Sequence, residues 1–268
     1  MPLKLIEKNM NNNQAGIKWL TANWHAPPHI HAGTTMRYGG ASAAPYDQLN
    51  LGMHVKDEYN SVLKNRESLS RYLKLPAEPV WLNQVHGNNI IQINSQVDLK
   101  LTDKTADGSY SGGANKVCVV VTADCLPLLL CDDEGTQVAA IHIGWQSFSK
   151  DIITAAIEKF TCAHDKLMTW LGPCISADHY EIDATVYHAA RKIFVGAEEC
   201  FIETSMGHWL MDLKQLVSKQ LTTLQVGHIY TSPYCTYSDQ ARFFSHRRNG
   251  TTGRMASLIW MDSQSSIN

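Results

Sequence analysis

Three apolar segments crowd between Lys116 and Ile143: KVCVVVT (116–122), PLLLC (127–131) and QVAAIHI (137–143). Each is too short for a buried helix and rich in branched aliphatic residues, so each reads as a core strand. The DDEG stretch (132–135) supplies a turn between the second and third. Polar groups interrupt the ends of these strands. Cys125 follows the charged Asp124 where the second run begins, and His142 lies near the end of the third. A core built only for packing would carry Val, Leu or Ile there.

The rest of the chain alternates strands with helices. Strands are expected at IKWL (17–20), HIHAGTTM (29–36), VWLN (80–83), NIIQI (89–93), LMTWL (167–171), GHIYT (227–231) and MASLIWM (255–261). Residues 57–73 place Val62, Leu63, Leu69, Tyr72 and Leu73 on one helical face, with Asp57 and Glu58 at its positive N-terminal end. Helices are also expected over 149–161, 184–194 and 211–224, the last capped by Asp212. Residues 37–52 are rich in Gly, Ala and Pro and read as loop. Short turns join several neighbouring strands, so the expected fold is an α/β (α+β) sandwich with a mixed sheet flanked by helices. No repeat or linker divides the 268 residues. The expectation is one catalytic domain, with residues 1–16 a loose lead-in.

Composition narrows the function classes. A formal net charge of −2 gives no basic excess for nucleic acid or an anionic membrane surface. The longest apolar run is far short of the ~20 residues a membrane helix needs, and the N-terminus lacks the apolar core of a signal peptide. Seven cysteines form no CxxC pair and no regular spacing, which points to a reducing, cytoplasmic setting. Cys118 and Cys131 fall inside apolar runs and read as core. No Gly-rich dinucleotide or Walker loop follows a strand.

His86 lies in NQVHGN, a polar break between two expected strands. Together with Cys125 and His142 it offers two imidazoles and a thiolate, a donor set suited to Zn²⁺ with one position left open. The spacing matches no zinc finger, so the site would be assembled from separate strand ends. Asp124 or Asp107 could orient a ligand or act as a base. A Cys–His nucleophilic pair and plain packing fit the same residues. The other histidines, among them His25, His29, His31 and His54, read as ordinary hydrogen-bonded residues. Near the C-terminus Arg242, Arg247, Arg248 and Arg254 crowd a Gly-containing loop; guanidinium forks there suit phosphate, and a solvated loop is the plainer reading.

The motifs NQVHG, TADCLPLLL, IHIGW, GPCIS with a following YE, and RFFSHRRNGTTGRMASLIW resemble those of the laccase-domain, or multicopper polyphenol oxidoreductase-like, family. TTMRYGGAS, YDQLNLGMHVKD and VLKNRESL extend the likeness, which runs from about residue 30 to 261. The resemblance implies zinc held by His86, Cys125 and His142, and a pocket on one sheet edge. It implies a purine nucleoside phosphorylase with adenosine deaminase and methylthioadenosine phosphorylase activities, acting on purine nucleosides and phosphate. Arg37, Asn50, Asp124, Arg247 and Arg248 become candidate substrate contacts. Copper oxidase chemistry is implied only by the family's older name, and the chain lacks the ligand sets of blue or trinuclear copper centres.

One departure stands out. The family reads H-A-G-W-R-G where this chain reads HIGWQS (142–147), so Gln146 replaces an arginine and Ser147 a glycine. Loss of that charge bears more on phosphorolysis than on metal binding. Two alternatives stay open: a cysteine-dependent hydrolase using Cys125, and a non-catalytic metal- or ligand-binding protein.

Overall fold

The computed structural model describes residues 16–93 and 104–263. The expected lead-in therefore lies outside the described residues apart from Gly16. Two β-sheets stack face to face. The first has four strands in the order β1 (Trp19–Thr21), β2 (Ile30–Thr35), β13 (Met255–Met261) and β5 (Cys118–Thr122), all antiparallel. The second has six: β12 (His228–Thr231), β8 (Leu167–Leu171), β6 (Leu126–Asp132), β7 (Val138–Ile143), β4 (Gly108–Ser111) and β3 (Ile90–Gln92). Its two outer pairs are parallel and its inner pairs antiparallel, so the sheet is mixed.

Alternation along the strands builds the layers. Cys118 and Val120 face Leu129, Cys131, Val138, Ala140 and Trp170 across the gap between the sheets. The other face of the first sheet, through Val119, Val121 and Leu258, packs on α1 (Tyr59–Leu73) and Leu49–Leu51. The other face of the second sheet, through Leu128, Leu130 and Ile141, packs on α3 (Ile152–Ile157), α4 (Ala184–Ala190) and α5 (Leu213–Thr223). The result is one α/β domain with mixed sheets flanked by helices. Among the described residues no helix is long and apolar enough to cross a membrane.

Several expectations need correction. VWLN (80–83) forms no strand; only Asn83 makes a bridge, to Thr105. The helix expected over 149–161 begins earlier, as α2 (Trp145–Ser149), and breaks at Asp151, whose φ of 59° is left-handed, before α3 resumes. The helix expected to reach residue 194 ends at Ala190. On α1 the buried positions are Val62, Asn65 and Leu69, while Leu63 and Tyr72 are exposed. Asn65 takes the inward place because its amide bonds the carbonyls of Gln48 and Asn50 and thereby holds the neighbouring loop. A small antiparallel sheet of β9 (Glu181–Asp183), β10 (Phe201–Ser205) and β11 (His208–Met211) was not foreseen. The cap on α5 is as expected: the Asp212 carboxylate accepts the Gln215 N–H at 2.9 Å.

Candidate metal centre

The β6–β7 register pairs Leu126 with Ile143 and Pro127 with His142, which sets Cys125 at the end of one strand beside the end of the next. His86 arrives from the loop before β3 with a φ of 56°. The donor atoms of His86, Cys125 and His142 all lie within 4.8 Å of one another. Cys125 Sγ is 3.9 Å from His86 Nε2, and the two imidazoles meet edge to face at 4.6 Å. A tetrahedral zinc with these donors sets its ligand atoms roughly 3.3–3.7 Å apart. A contraction of about 1 Å in the widest donor separation brings the cluster to that geometry, so the residues fit a metal.

Gly144 closes the site from below. A Cβ there would stand 2.9 Å from His86 Cδ2 and 3.1 Å from Cys125 Sγ. Its N–H donates to Ser147 Oγ at 2.9 Å, and Ser147 Oγ donates in turn to the His142 carbonyl at 3.2 Å. Ser147 thus fastens the first turn of α2 under the cluster, whereas Gln146 is exposed.

Asp107 organises both histidines. His142 Nδ1 donates to its Oδ1 at 2.8 Å, which leaves Nε2 free for the site. The N–H groups of Val85, His86 and Gly87 donate to the same carboxylate at 3.1, 2.9 and 2.6 Å. Burial alone would raise the Asp107 pKa, but His142 and the backbone N–H groups outweigh it and hold the carboxyl below its ordinary value. Burial would likewise raise the Cys125 thiol, yet the charge and hydrogen bonds of His142 and His86 bring it down. Burial would lower His142, and the Cys125 thiolate with Asp107 lifts it instead. Both shifts favour a thiolate beside a charged imidazole, and the thiolate is the form a metal requires.

Asp124 is a tie. It accepts Thr236 Oγ1 at 2.7 Å, Ser245 Oγ at 3.0 Å and the Arg247 N–H at 2.7 Å, which pins the C-terminal loop beside Cys125. The arginines divide in role. Arg248 donates to the carbonyls of Thr236, Tyr237 and Phe243, so its guanidinium is a loop clamp. Arg247 is exposed, donates to the Glu181 carbonyl at 3.0 Å and stands 5.2 Å from the Tyr180 ring. Arg37 bonds the Asp47 and Gln240 carbonyls and lies over Phe244. Asn50 is fully buried; its Oδ1 accepts from Gly52 and Arg254, and its Nδ2 donates to Asp57. Asn50 therefore holds Arg254. Its aliphatic stem packs against Gly52, its guanidinium donates to the Thr252 and Gly253 carbonyls, and burial lowers its pKa while the charges of Cys125 and Asp124 oppose the shift.

His54 escaped the sequence reading. Burial first, then Arg254, His142, Arg66 and His86, push its pKa down, which puts it within electrostatic reach of the cluster. Nothing in its spacing from the other ligands could have signalled this; the fold of the 49–55 loop brings it there.

A family model described as multi-copper polyphenol oxidoreductase laccase matches residues 31–262. The chain is 38% identical over 244 residues to the purine nucleoside phosphorylase YfiH of Shigella flexneri, covering 91% of this chain and 99% of that protein. It is equally similar, at 38% over 244 residues, to the purine nucleoside phosphorylase PA4543 of Pseudomonas aeruginosa, with 91% and 98% covered. The crystal structure of Neisseria meningitidis protein NMB0706 superposes with a TM-score of 0.86 at 38% identity, over 91% of this chain and 99% of that one. YlmD from Geobacillus stearothermophilus superposes with a TM-score of 0.85 at 29% identity, over 95% and 98%. On sequence and fold together, the chain belongs to the YfiH-type, purine-nucleoside-phosphorylase-like family within the laccase-domain group.

Proposed function

We propose that this protein is a zinc-dependent purine nucleoside phosphorylase that also deaminates adenosine and cleaves methylthioadenosine, working in the cytoplasm. The observation that carries the reading is a three-donor His–Cys–His cluster in a chain 38% identical over 91% of its length to a purine nucleoside phosphorylase. His86, Cys125 and His142 would hold the zinc, which supplies a Lewis acid with an open coordination position.

The chain's own groups account for the rest. In phosphorolysis a phosphate oxygen bonds to the ribose anomeric carbon as the bond from that carbon to the purine nitrogen breaks. The base leaves with the electron pair and takes up a proton. Arg254, whose backbone N–H is held by Asn50 and whose guanidinium is fixed on the Thr252 and Gly253 carbonyls, would supply a positive charge for the phosphate. Asp107 keeps His142 in the tautomer that presents Nε2 and fixes the loop that carries His86. Arg37, Asn50, Asp124, Arg247 and Arg248 would shape the surrounding pocket mainly by holding its loops, and Arg247 is the exposed one among them.

The test is chromatography of zinc-loaded protein with inosine, adenosine and methylthioadenosine, with and without phosphate. Free base together with a ribose phosphate is expected only when phosphate is present, and inosine is expected from adenosine without it. No product from any of the three refutes the reading and leaves a binding role. The close Cys125–His86 pair favours one competing reading, a cysteine nucleophile. Activity that survives zinc removal and vanishes on thiol alkylation would select it.

A further inference from the structure

β5 is an edge strand of the first sheet, and something must meet its outer backbone groups. The register with β13 pairs Ala256 with Val121 and Leu258 with Val119. Val121 turns its N–H and C=O outward, where the Gln84 carboxamide meets both: the N–H donates to Oε1 at 2.7 Å and Nε2 donates to the carbonyl at 2.9 Å. At the other end the Val80 N–H donates to the Val117 carbonyl at 3.4 Å. Residues 80 and 84 thus run beside β5 at one constant offset, and by strand alternation Val119 points its N–H and C=O the same way.

Nothing meets them. Between Val80 and Gln84 the chain bows outward. The Trp81 N–H turns back to Pro79, and Asn83 gives its N–H and C=O to Lys104 and Ala106 on its far side. The bow leaves a cavity of about 480 Å³ lined by Val119, Trp81, Arg66, Lys104, Gln84 and His54. Val119 is 1% exposed, and neither of its outward backbone groups has a hydrogen bond among the described residues. Arg66 lies 3.9 Å from the Trp81 ring, so the wall carries a flat stacked pair. Gln84 and Val121 line the cavity and stand two residues before His86 and four before Cys125, so the cavity lies along the two segments that lead into the His86–Cys125–His142 cluster.

We infer that this gap is the base subsite, in which the Val119 N–H and C=O pair with the six-position edge of a purine as the Gln84 carboxamide pairs with Val121. Hypoxanthine presents O6 and N1–H at that edge, and adenine presents N1 and N6–H; each is an adjacent acceptor and donor in a flat ring. The order is reversed between the two, so with the glycosidic nitrogen held in place the fixed backbone pair meets the hypoxanthine edge, and adenine must turn over to use it. The inference rests on the purine nucleoside reading above and assigns the place of the base within it.

Zinc-loaded protein labelled with ¹⁵N-valine tests it, with the Val119 amide signal assigned through V119I. Hypoxanthine should move the Val119 signal more than those of valines away from the cavity and slow its hydrogen exchange. 1-Methylhypoxanthine, which has a methyl in place of N1–H, should bind at least ~10-fold more weakly by calorimetry, as expected for an unmet buried acceptor. Binding of hypoxanthine with Val119 unmoved, or equal affinity for the methylated base, overturns the subsite and makes the gap a place for water. Both outcomes leave the phosphorylase reading intact if inosine is still cleaved. Cleavage of inosine without detectable hypoxanthine binding also overturns the subsite. Failure of both binding and cleavage refutes the two readings together.

Discussion

Asp107→Asn isolates the contribution of the carboxylate that joins the two histidines. The wild-type Oδ1 accepts from His142 Nδ1 and the His86 N–H, and Oδ2 accepts from the Val85 and Gly87 N–H groups. An amide keeps one oxygen and turns the other position into a donor. Whichever way it sits, two N–H donors face an NH₂ group in a site where the carboxyl is fully buried. Each stranded donor costs about 1–3 kcal/mol, and partial turning of the 85–87 loop relieves some of it. The expected loss of apoprotein stability is ~2–4 kcal/mol, seen as a lower denaturant midpoint at unchanged slope. Metal affinity falls separately. Loss of an outer carboxylate typically weakens binding ~10- to 100-fold, and a chelator competition with zinc reads that directly. Wild-type zinc affinity in the folded variant would refute the view that Asp107 sets the histidine geometry.

Gly144→Ala puts a Cβ within 3.1 Å of both His86 and Cys125; zinc affinity should drop at least ~10-fold while melting of the metal-free protein shifts by only ~1–3 kcal/mol, and unchanged affinity would show that the cluster does not rest on that surface. In metal-free protein near neutral pH, iodoacetamide should label Cys125 and Cys235 first, because hydrogen bonds and nearby charges outweigh burial and lower both thiols, while burial raises Cys118 and Cys174 to about 12. Zinc should protect Cys125 alone, as peptide mass mapping would report; equal labelling of Cys125 with and without zinc counts against its role as a ligand. Arg254→Gln removes a half-buried charge fixed on the Thr252 and Gly253 carbonyls, so the Michaelis constant for phosphate should rise ~10- to 100-fold with deamination much less affected, and parallel loss of both activities would indicate a loop defect instead.

The fold was legible where burial on both faces wrote itself as continuous apolar sequence. β5, β6 and β7 stand within two residues of their expected bounds. It was illegible where hydrogen bonding replaced side-chain hydrophobicity. β4 reads GSYS, yet all four residues are buried, because Ser111 Oγ donates to the Ile93 carbonyl and Tyr110 Oη donates to Gln137. VWLN has the composition of a strand, but the Gln84 side chain takes the place of backbone on β5, so the segment need not lie flat. The meeting of His86, Cys125 and His142 was legible for a related reason: they are polar residues at points where packing alone would not place them. Their outer partners were not equally plain. Asp107 and Asp124 look alike in sequence as single carboxylates beside a core strand. Only the register separates them, since β4 pairs with β7 and carries Asp107 to His142, whereas Asp124 turns away to the loop of Thr236, Ser245 and Arg247. The same logic divides the arginines. Composition groups Arg247, Arg248 and Arg254, and the hydrogen bonds show which carbonyls each one holds: Glu181 for Arg247, Thr236, Tyr237 and Phe243 for Arg248, and Thr252 and Gly253 for Arg254. Residue type marks where chemistry is available, and strand register determines which of those groups face one another.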